Sequence, residues 1–247
     1  MTAASKGLGR ACAAALAAEG AAVFIAARGR EALADTAGKI GAAGFQEADL
    51  SRPEVPAALV EAAVGAMGGL DILVANAGGP TPGTFESTPL EEWDKAFQLT
   101  LMSTVRLCKA ALPHLQRSDQ GRIVVITSTA VREPIPTILL SNAFRSAVVA
   151  TLKTMAGELA PHGITVNNIA PGRFMTDRVI QTDQAAADRE GVSREEITAR
   201  SLTGVPAGRI GDPPEFGALC AFVCSRHTGY LTGQTIVLDG GQTRGVY

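Results

Sequence analysis

The chain contains few residues of the types that most often carry acid–base chemistry. Among its 247 residues there are two tyrosines, three histidines and one tryptophan. The tyrosines, Tyr230 and Tyr247, both lie near the C-terminus, and none of the five lysines has a tyrosine four residues before it. The sequence therefore excludes a catalytic centre that depends on a tyrosine followed by a lysine at that spacing.

Cysteine is also scarce, and its spacing does not indicate a metal site or a disulfide framework. Two of the four cysteines, Cys220 and Cys224, lie one helical turn apart in the segment GALCAFVCS. A zinc site would need further ligands at a matching spacing, and the sequence offers none. Because free cysteine is commonly buried, we predict that this pair lies on the buried face of a helix and that no metal is bound.

Charge and apolar runs exclude other classes of partner. Charged residues make up 19% of the chain and hydrophobic residues 46%, with a formal net charge of -2. This balance argues against a nucleic-acid or polybasic membrane partner. The apolar runs are short or broken by charge, which predicts no transmembrane helix, and the N-terminus lacks the features of a signal peptide. We expect one cytoplasmic domain over residues 1–247.

Strand-like apolar runs alternate with helical segments along the whole chain. This alternation is typical of parallel βαβ units and predicts an α/β fold with a doubly wound parallel sheet. Thr88 and Asp212 are predicted N-caps, each followed by proline and, three residues after the cap, by glutamate. The predicted strands cover residues 21–27, 44–48, 71–77, 122–127, 164–170 and 234–239, and the two longest helices cover 89–117 and 141–160.

A glycine-rich turn opens the chain in TAASKGLGRACAAALAAEG. Gly7 and Gly9 precede a helix whose free N–H groups would favour a pyrophosphate. Ala3 stands where a first glycine is usual, which would cost ~1 kcal/mol if that position needs a positive φ. A Rossmann domain has a central strand before this turn, so the first strand looks truncated. We expect in-frame upstream codons for about five to seven apolar residues, because the sheet needs its central member.

Several further segments, in order along the chain, resemble those of the short-chain dehydrogenase/reductase family. They include Asp49-Leu50 after the second predicted strand, Asn76-Ala77-Gly78 in LVANAGGP, and Pro171-Gly172 in VNNIAPGRFMTDR. The resemblance covers Thr2 to Leu238 and implies a Rossmann fold that binds NAD(P). The cofactor-binding residues that it implies are Thr2, Ser5, Lys6, Gly7, Leu8, Gly9, Arg28, Asp49, Leu50, Asn76, Ala77, Gly78, Arg145, Pro171, Gly172, Phe174 and Thr176.

The choice between NAD and NADP can be predicted from charge. An NAD site usually carries an acidic residue at the end of the second strand of the fold, which binds the ribose 2′-hydroxyl. Here that position is Ala27, and Arg28 follows it, while Lys6 lies inside the glycine-rich turn. Two cations favour a 2′-phosphate and hence NADP(H), unless both are merely solvated surface charges.

The catalytic positions of the family are altered in this chain. Ser128 in RIVVITSTAV matches the family's catalytic serine, which orients the substrate carbonyl. Thirteen residues later, Ser141 stands where the family has its tyrosine, and Arg145 stands where it has its lysine. Thr100 aligns with the asparagine of the family's proton relay. This arrangement resembles a divergent branch of the family that is related to 3-oxoacyl-acyl-carrier-protein reductases.

These changes weaken the expected proton donor. A serine hydroxyl is a far weaker acid than a tyrosine whose pKa a neighbouring lysine lowers. Arg145 stays protonated, so it could donate hydrogen bonds to the nicotinamide ribose but could not relay protons. Either Ser141 or a bound water would supply the proton, or Ser141 is instead the N-cap of its helix.

The segment 173–208 is predicted to be a lid over the substrate. Its arginines, and Arg209 just after it, are interpreted as a solvated helix face, and Arg132 is the better candidate for binding an anionic substrate group. The arginines in question are Arg173, Arg178, Arg189, Arg194, Arg200 and Arg209.

Three hypotheses about function follow from the sequence. The first is an NADP(H)-dependent oxidoreductase that acts on a ketone or secondary alcohol, possibly a 3-oxoacyl thioester. The second is a regulatory protein that binds NADP(H) with little catalysis, and the third is a non-catalytic partner subunit. The helices predicted at 89–117 and 141–160 resemble those that pair between subunits in the family, which implies a homodimer or homotetramer.

Overall fold

A computed structural model describes residues 1–245 as an α/β fold in which strands and helices alternate. All six predicted strands are present, five with shorter bounds and the fifth shifted by one residue at the same length. The strands are β1 (Phe24–Ala27), β2 (Gly44–Glu47), β3 (Ile72–Ala75), β4 (Arg122–Ile126), β5 (Thr165–Pro171) and β6 (Thr235–Leu238). The helices are α1 (Gly7–Ala18), α2 (Arg30–Ile40), α3 (Val55–Met67), α4 (Leu90–Ala96), α5 (Ser103–Leu115), α6 (Leu139–Leu159), α7 (Asp177–Glu190), α8 (Arg194–Leu202) and α9 (Pro213–Cys224).

The strands are all parallel, but their hydrogen-bonded ladder is interrupted. β1 pairs with β2, and a separate four-stranded sheet has the order β3-β4-β5-β6. The predicted doubly wound arrangement is confirmed, because helices cover both faces. One core cluster packs α3, α5 and α6 against one face, and another packs α1, α2 and α9 against the other.

Between β1 and β3 lies a gap that the first residues of the chain fill only at one end. We call the space between residues 24–27 and 72–75 the central gap. The Thr2 N–H donates to the Val74 carbonyl at 3.2 Å, and the Ala26 N–H donates to the Met1 carbonyl at 3.0 Å. Residues 1–4 therefore bridge the carboxyl ends of the two strands and lead directly into the glycine-rich turn.

Two of the predicted helix caps were wrong and one is confirmed. The first residue of α4 is Leu90, and the Thr88 hydroxyl donates to the Thr84 carbonyl instead of capping the helix. Ser141 lies inside α6, which begins two residues earlier, so it is not an N-cap. Glu215 accepts a hydrogen bond from the Asp212 N–H at 2.8 Å, which confirms the capping box of α9.

The long helix predicted over 89–117 is divided in a way that the sequence did not indicate. Its middle, Phe97–Met102, is a π-helix between α4 and α5. Such wide turns occur frequently at functional sites. Cys220 and Cys224 lie on the buried face of α9, as predicted. No helix in the described part of the chain is long and apolar enough to cross a membrane.

Candidate active site

The glycine-rich turn has the backbone that close approach to a phosphate requires. Gly7 has a φ of +56°, and Ala3 is the one non-glycine with a positive φ among residues 1–245, at +48°. The predicted strain at Ala3 is therefore present in the structure. A Cβ on Gly9 would lie 2.1 Å from the Ala3 carbonyl oxygen, so this position admits glycine alone.

Thr2 ties this turn to the end of β3. Its hydroxyl donates to the Asn76 carbonyl at 2.7 Å and accepts from the Asn76 N–H at 2.8 Å. Ser5 connects the turn to α2, because its carbonyl accepts a hydrogen bond from the hydroxyl of Thr36, a residue of α2, at 3.0 Å. Two of the predicted cofactor segments, the turn and Asn76-Ala77-Gly78, are thus brought together at the carboxyl ends of the strands.

Arg28 and Asp49 lie at the ends of β1 and β2, beside the same edge. A Cβ on Gly78 would lie 3.9 Å from the Arg28 guanidinium, which places that exposed side chain over the end of β3. Hydrogen bonds from Ser51 are the main reason why the pKa of Asp49 is lowered, with a smaller contribution from the charge of Arg28. Leu50 is buried in the core, and its side chain packs among apolar residues.

Lys6 and Leu8 belong to the turn itself. Lys6 is exposed at the N-cap position of α1, and no side chain caps that helix. Its ammonium and the free N–H groups of the helix therefore lie at one end of the sheet. Leu8 is partly buried and packs against the core cluster under α1. The predicted phosphate end of the site is cationic and lined by backbone donors.

The segment after β5 forms the opposite wall. A Cβ on Gly172 would lie 2.5 Å from Cβ of Asp239, so the turn after Pro171 needs glycine for its close approach to the end of β6. The ring of Phe174 is buried edge-on against Phe216, with ring centroids 5.4 Å apart. Only the main chain of Phe174 is thus left for contact with a cofactor.

Thr176 brings the next segment onto the glycine-rich turn. It is the N-cap of α7, and its hydroxyl accepts from the Val179 N–H at 3.4 Å. Its methyl group would lie 3.4 Å from a Cβ built on Gly7. The start of the predicted lid therefore contacts the turn directly.

Ser128 follows β4 at the same edge of the sheet. It is the N-cap of a short 3₁₀ turn over Thr129–Val131, and its hydroxyl oxygen accepts from the Ala130 N–H at 3.2 Å. Because that oxygen is used as an acceptor, its own hydrogen is available to donate to a substrate oxygen.

Arg145 is buried in the middle of α6, and its guanidinium is almost fully engaged. Nη1 donates to the carbonyls of Ile126 and Thr127 at 3.0 and 2.9 Å, and Nη2 donates to the Ala77 carbonyl at 3.4 Å. Nε donates to the Ser141 hydroxyl at 3.1 Å. Four of the five N–H groups are therefore paired within the described chain, which leaves one on Nη2 for the predicted contact with a ribose.

No salt bridge within residues 1–245 involves Arg145. Burial lowers its pKa to about 10, so it still carries its charge at neutral pH. The side chain joins the ends of β3 and β4 to α6, and it fixes both Ser141 and the residue before Ser128. A buried cation thus lies beside the two serines that were predicted to carry the chemistry.

Thr100 lies on the π-helix next to α6 and is also buried. Its hydroxyl has no hydrogen-bond partner within the described residues. An unpaired buried hydroxyl is costly unless water or a ligand satisfies it. The position that aligns with the relay asparagine of the family therefore keeps a polar group with free hydrogen-bonding capacity.

The charges of the predicted lid are not all solvated, which corrects that interpretation. Arg173 forms an ion pair with the buried Asp183 of α7, and the Thr198 hydroxyl of α8 donates to the same carboxylate at 3.0 Å. These contacts join the loop after β5 to both lid helices. The remaining arginines of the segment are exposed, and Arg200 bridges Glu190 and Glu196.

Arg132, the predicted contact for an anionic substrate group, and the tyrosines near the C-terminus can also be placed. The guanidinium of Arg132 donates to the Thr235 carbonyl of β6 at 3.4 Å, which turns it towards the sheet edge. Tyr230 is fully exposed in the loop before β6, so it offers no buried donor. Tyr247 lies outside the described residues.

Sequence reasoning missed the ion pair of Arg173, the π-helix and the network of Arg145. A buried aspartate ten residues from an arginine gives no periodic signal, so the ion pair could not be found from spacing. The Arg145 network could not be predicted either, because its carbonyl partners lie at the ends of β3 and β4 in the fold and only Ser141 is close to Arg145 in sequence.

Comparison with known proteins identifies the family. Residues 2–243 match the sequence profile of the enoyl-(acyl carrier protein) reductase family. The short-chain reductase protein NovJ of Streptomyces niveus is 34% identical over 98% of this chain and 92% of its own length. The 3-oxoacyl-[acyl-carrier-protein] reductase FabG of Vibrio cholerae is 35% identical over 98% of this chain and 95% of its own length.

A solved structure is similar in both fold and sequence. It is an NADPH-bound short-chain oxidoreductase from Pseudomonas aeruginosa PAO1, described as containing an atypical catalytic centre. It superposes with a TM-score of 0.89 and is 31% identical, covering 99% of this chain and 96% of its own. With the family profile matched over nearly its whole length, the chain belongs to the short-chain dehydrogenase/reductase family.

Proposed function

We propose that the protein is an NADP(H)-dependent oxidoreductase that interconverts a ketone and a secondary alcohol, with a 3-oxoacyl thioester as one candidate substrate. Its partner is thus a small carbonyl or alcohol compound. The observation that carries the proposal is the hydrogen bond from the buried Arg145 to Ser141, at the edge where the cofactor turn and Ser128 also lie.

The residues of the site fit NADP(H). Gly7 has a positive φ and a Cβ on Gly9 would clash with the Ala3 carbonyl, so both glycines are needed for the tight turn at the start of α1, where free N–H groups would favour a pyrophosphate. Arg28 and Lys6 are exposed at the same edge and can contact a 2′-phosphate. Ala27, at the end of β1, stands where an NAD site usually has an acidic residue, so the carboxylate that would repel a 2′-phosphate is missing from that position. The bound cofactor would supply the hydride.

The residues of the chain would orient the carbonyl and supply the proton. The Ser128 hydroxyl, whose oxygen already accepts from Ala130, donates its hydrogen to the substrate oxygen. The Ser141 hydroxyl accepts from Arg145, so its hydrogen is likewise available to donate. The positive charge of Arg145 favours negative charge that develops on the substrate oxygen.

Ser141 then donates its proton to that oxygen and recovers it from water. In this scheme Ser128 and Ser141 are catalytic residues and Arg145 is a positioning residue. The one free N–H on Nη2 of Arg145 is available to the nicotinamide ribose. The orphan hydroxyl of Thr100 offers a place where a water could bind beside α6 and serve as the proton source instead.

A protein that senses NADP(H) without turnover is the second candidate. It is favoured by Arg145, whose guanidinium donates to three carbonyls and stays protonated, so it cannot relay protons as a lysine could. A non-catalytic subunit of a homodimer or homotetramer is the third, and it shares the same cofactor site. Turnover separates the enzyme from both.

The experiment measures NADPH oxidation with a panel of ketones and 3-oxoacyl thioesters, beside a titration of NADPH binding. We expect slow turnover by the unmodified protein, because a serine hydroxyl is a far weaker acid than the family's tyrosine, and a poor general acid contributes little of the ~10²–10⁴-fold that general acid catalysis typically provides. Installing Ser141→Tyr together with Arg145→Lys should raise the rate. Ser128→Ala should lower it, whereas Ser146→Ala, an exposed serine on the same helix, should not.

Tight NADPH binding without turnover in any of these proteins would reject the enzyme and favour the sensor. Fast turnover by the unmodified protein that Ser128→Ala leaves unchanged would show that the reaction occurs elsewhere.

A further inference from the structure

One arginine of the lid reaches the cofactor edge of the sheet. A Cβ on Gly79 would lie 3.8 Å from Nη2 of Arg178, which belongs to the first turn of α7. A Cβ on the neighbouring Gly78 would lie 3.9 Å from Nη2 of Arg28, just after β1. Two guanidinium groups, one from the lid and one from the end of a strand, therefore lie over adjacent residues after β3.

The space over Gly78 and Gly79 is bounded by these guanidinium groups. Apart from chain neighbours, no other atom of the described chain lies within 4 Å of either Cβ position. Neither glycine has a positive φ, so the backbone conformation does not require glycine at these positions. The absence of side chains instead keeps a space open between the lid and the end of β3.

Arg178 differs from the other arginines of the lid because it has no counter-charge. No salt bridge within residues 1–245 involves Arg178 or Arg28. The four other arginines of the lid and the nearby Arg209 each pair with a carboxylate, and these residues are Arg173, Arg189, Arg194, Arg200 and Arg209. Two cations without carboxylate partners beside one open space favour an anion between them.

The start of α7 lies against the turn where the diphosphate of a dinucleotide would bind. The methyl group of Thr176, two residues before Arg178, would lie 3.4 Å from a Cβ built on Gly7. The free N–H groups of α1 begin at that glycine and favour a pyrophosphate. Arg178 therefore extends from the part of the lid that contacts the phosphate-binding turn.

We propose that Arg178 binds the diphosphate of NADP(H) from the lid, opposite the glycine-rich turn. Its planar guanidinium can donate two parallel hydrogen bonds to phosphate oxygens. Because NADPH and NADH share this diphosphate, Arg178 strengthens the binding of both and does not contribute to the preference between them. The inference rests on the cofactor site of the proposed function and not on turnover.

This contact links cofactor binding to closure of the lid. Arg173 and Thr198 both bind Asp183, so the loop after β5 is already joined to α7 and α8. A contact that holds the first turn of α7 over the diphosphate holds these connected parts as well. By thermodynamic reciprocity, a dinucleotide that binds more tightly through the lid also makes the lid open less often.

The test compares the unmodified protein with Arg178→Ala, Arg178→Lys and Arg189→Ala, which removes an exposed arginine from the same helix. Titrations measure the Kd of NADPH, of NADH and of 2′-AMP, which carries a 2′-phosphate but no diphosphate. We expect Arg178→Ala to weaken the binding of both dinucleotides by about 10-fold and by the same factor, and to leave that of 2′-AMP unchanged. Arg178→Lys keeps the charge and should recover part of the loss, and Arg189→Ala should match the unmodified protein.

Hydrogen exchange provides a second readout that does not depend on the titrations. Either dinucleotide should slow amide exchange in residues 179–202 of the unmodified protein and of Arg189→Ala. The same dinucleotide at saturation should slow this exchange much less in Arg178→Ala, because the contact that closes the lid is missing.

Equal dinucleotide affinities in Arg178→Ala and the unmodified protein would overturn the proposal. A loss confined to NADPH and 2′-AMP would also overturn it, because Arg178 would then contact the 2′-phosphate. Unchanged dinucleotide affinities together with a raised KM for a carbonyl substrate that carries a carboxylate or phosphate would place a substrate anion there instead. Dinucleotide binding that depends on Arg178 in a protein without turnover would reject the proposed enzyme and support this inference.

Discussion

At the scale of single residues, Arg145 is the side chain on which the site depends. It is buried without a carboxylate partner in the described chain, and it is stabilised by three carbonyls and one hydroxyl. A lysine at this position could not make these contacts at once, because its donors lie on one atom. The Ser141–Arg145 combination therefore acts as a unit and is not two independent substitutions.

Replacing Arg145 with methionine should lower the free energy of unfolding by about 3 kcal/mol, because several buried acceptors lose a charged donor. Thermal and denaturant unfolding measure this change. Lys153→Met, which removes an exposed cation from the same helix, is the control and should have a much smaller effect. Similar losses for the two variants would show that the Arg145 network adds no special stability.

At the scale of elements, the lid and the central gap show what sequence patterns reveal and what they do not. Every predicted strand is present, and β1, β4 and β5 are buried along their whole length, as runs of apolar residues predict, whereas β2 alternates between partly buried and exposed residues. The strand predicted over 21–27 begins only at Phe24, where its ladder with β2 begins, and residues 21 and 22 are exposed. The ion pair of Arg173 with Asp183 could not be predicted, because it depends on how α7 folds back onto the loop after β5.

Asp183→Asn should loosen the lid, because it leaves the partly buried Arg173 without its counter-charge. Breaking such a pair from one side typically costs about 3–5 kcal/mol. Part of that cost should appear as local opening, measured by faster trypsin cleavage within residues 173–208. Asp188→Asn, an exposed change on the same helix, is the control. Unchanged cleavage in the Asp183 variant would contradict a closing role for this contact.

At the scale of the whole molecule, the carboxyl ends of the strands gather the cofactor turn, the two serines and the start of the lid at one edge. The sequence predicted the members of this site by resemblance, and the structure brings most of them together. It could not predict that Leu50 and the Phe174 ring point into the core, because burial depends on tertiary packing.

Cofactor preference is a property of this assembled edge. We expect NADPH to bind at least ~10-fold more tightly than NADH, since charge-assisted contacts to a phosphate contribute ~1.5–3 kcal/mol. Arg28→Ala should remove most of the preference, whereas Arg226→Ala, beside Asp119 on an exposed 3₁₀ turn, should not. Equal affinities of the unmodified protein for the two dinucleotides would show that Arg28 and Lys6 do not reach the 2′ position.

The most direct test of the account is the initial rate of NADPH-dependent carbonyl reduction by the unmodified protein, by Ser141→Ala and by Ser146→Ala. The account predicts a slow but measurable rate that falls by on the order of 10²-fold in Ser141→Ala and stays unchanged in Ser146→Ala, with NADPH affinity equal in all three. A rate that survives the loss of the Ser141 hydroxyl would contradict the claim that Ser141, held by Arg145, donates the proton.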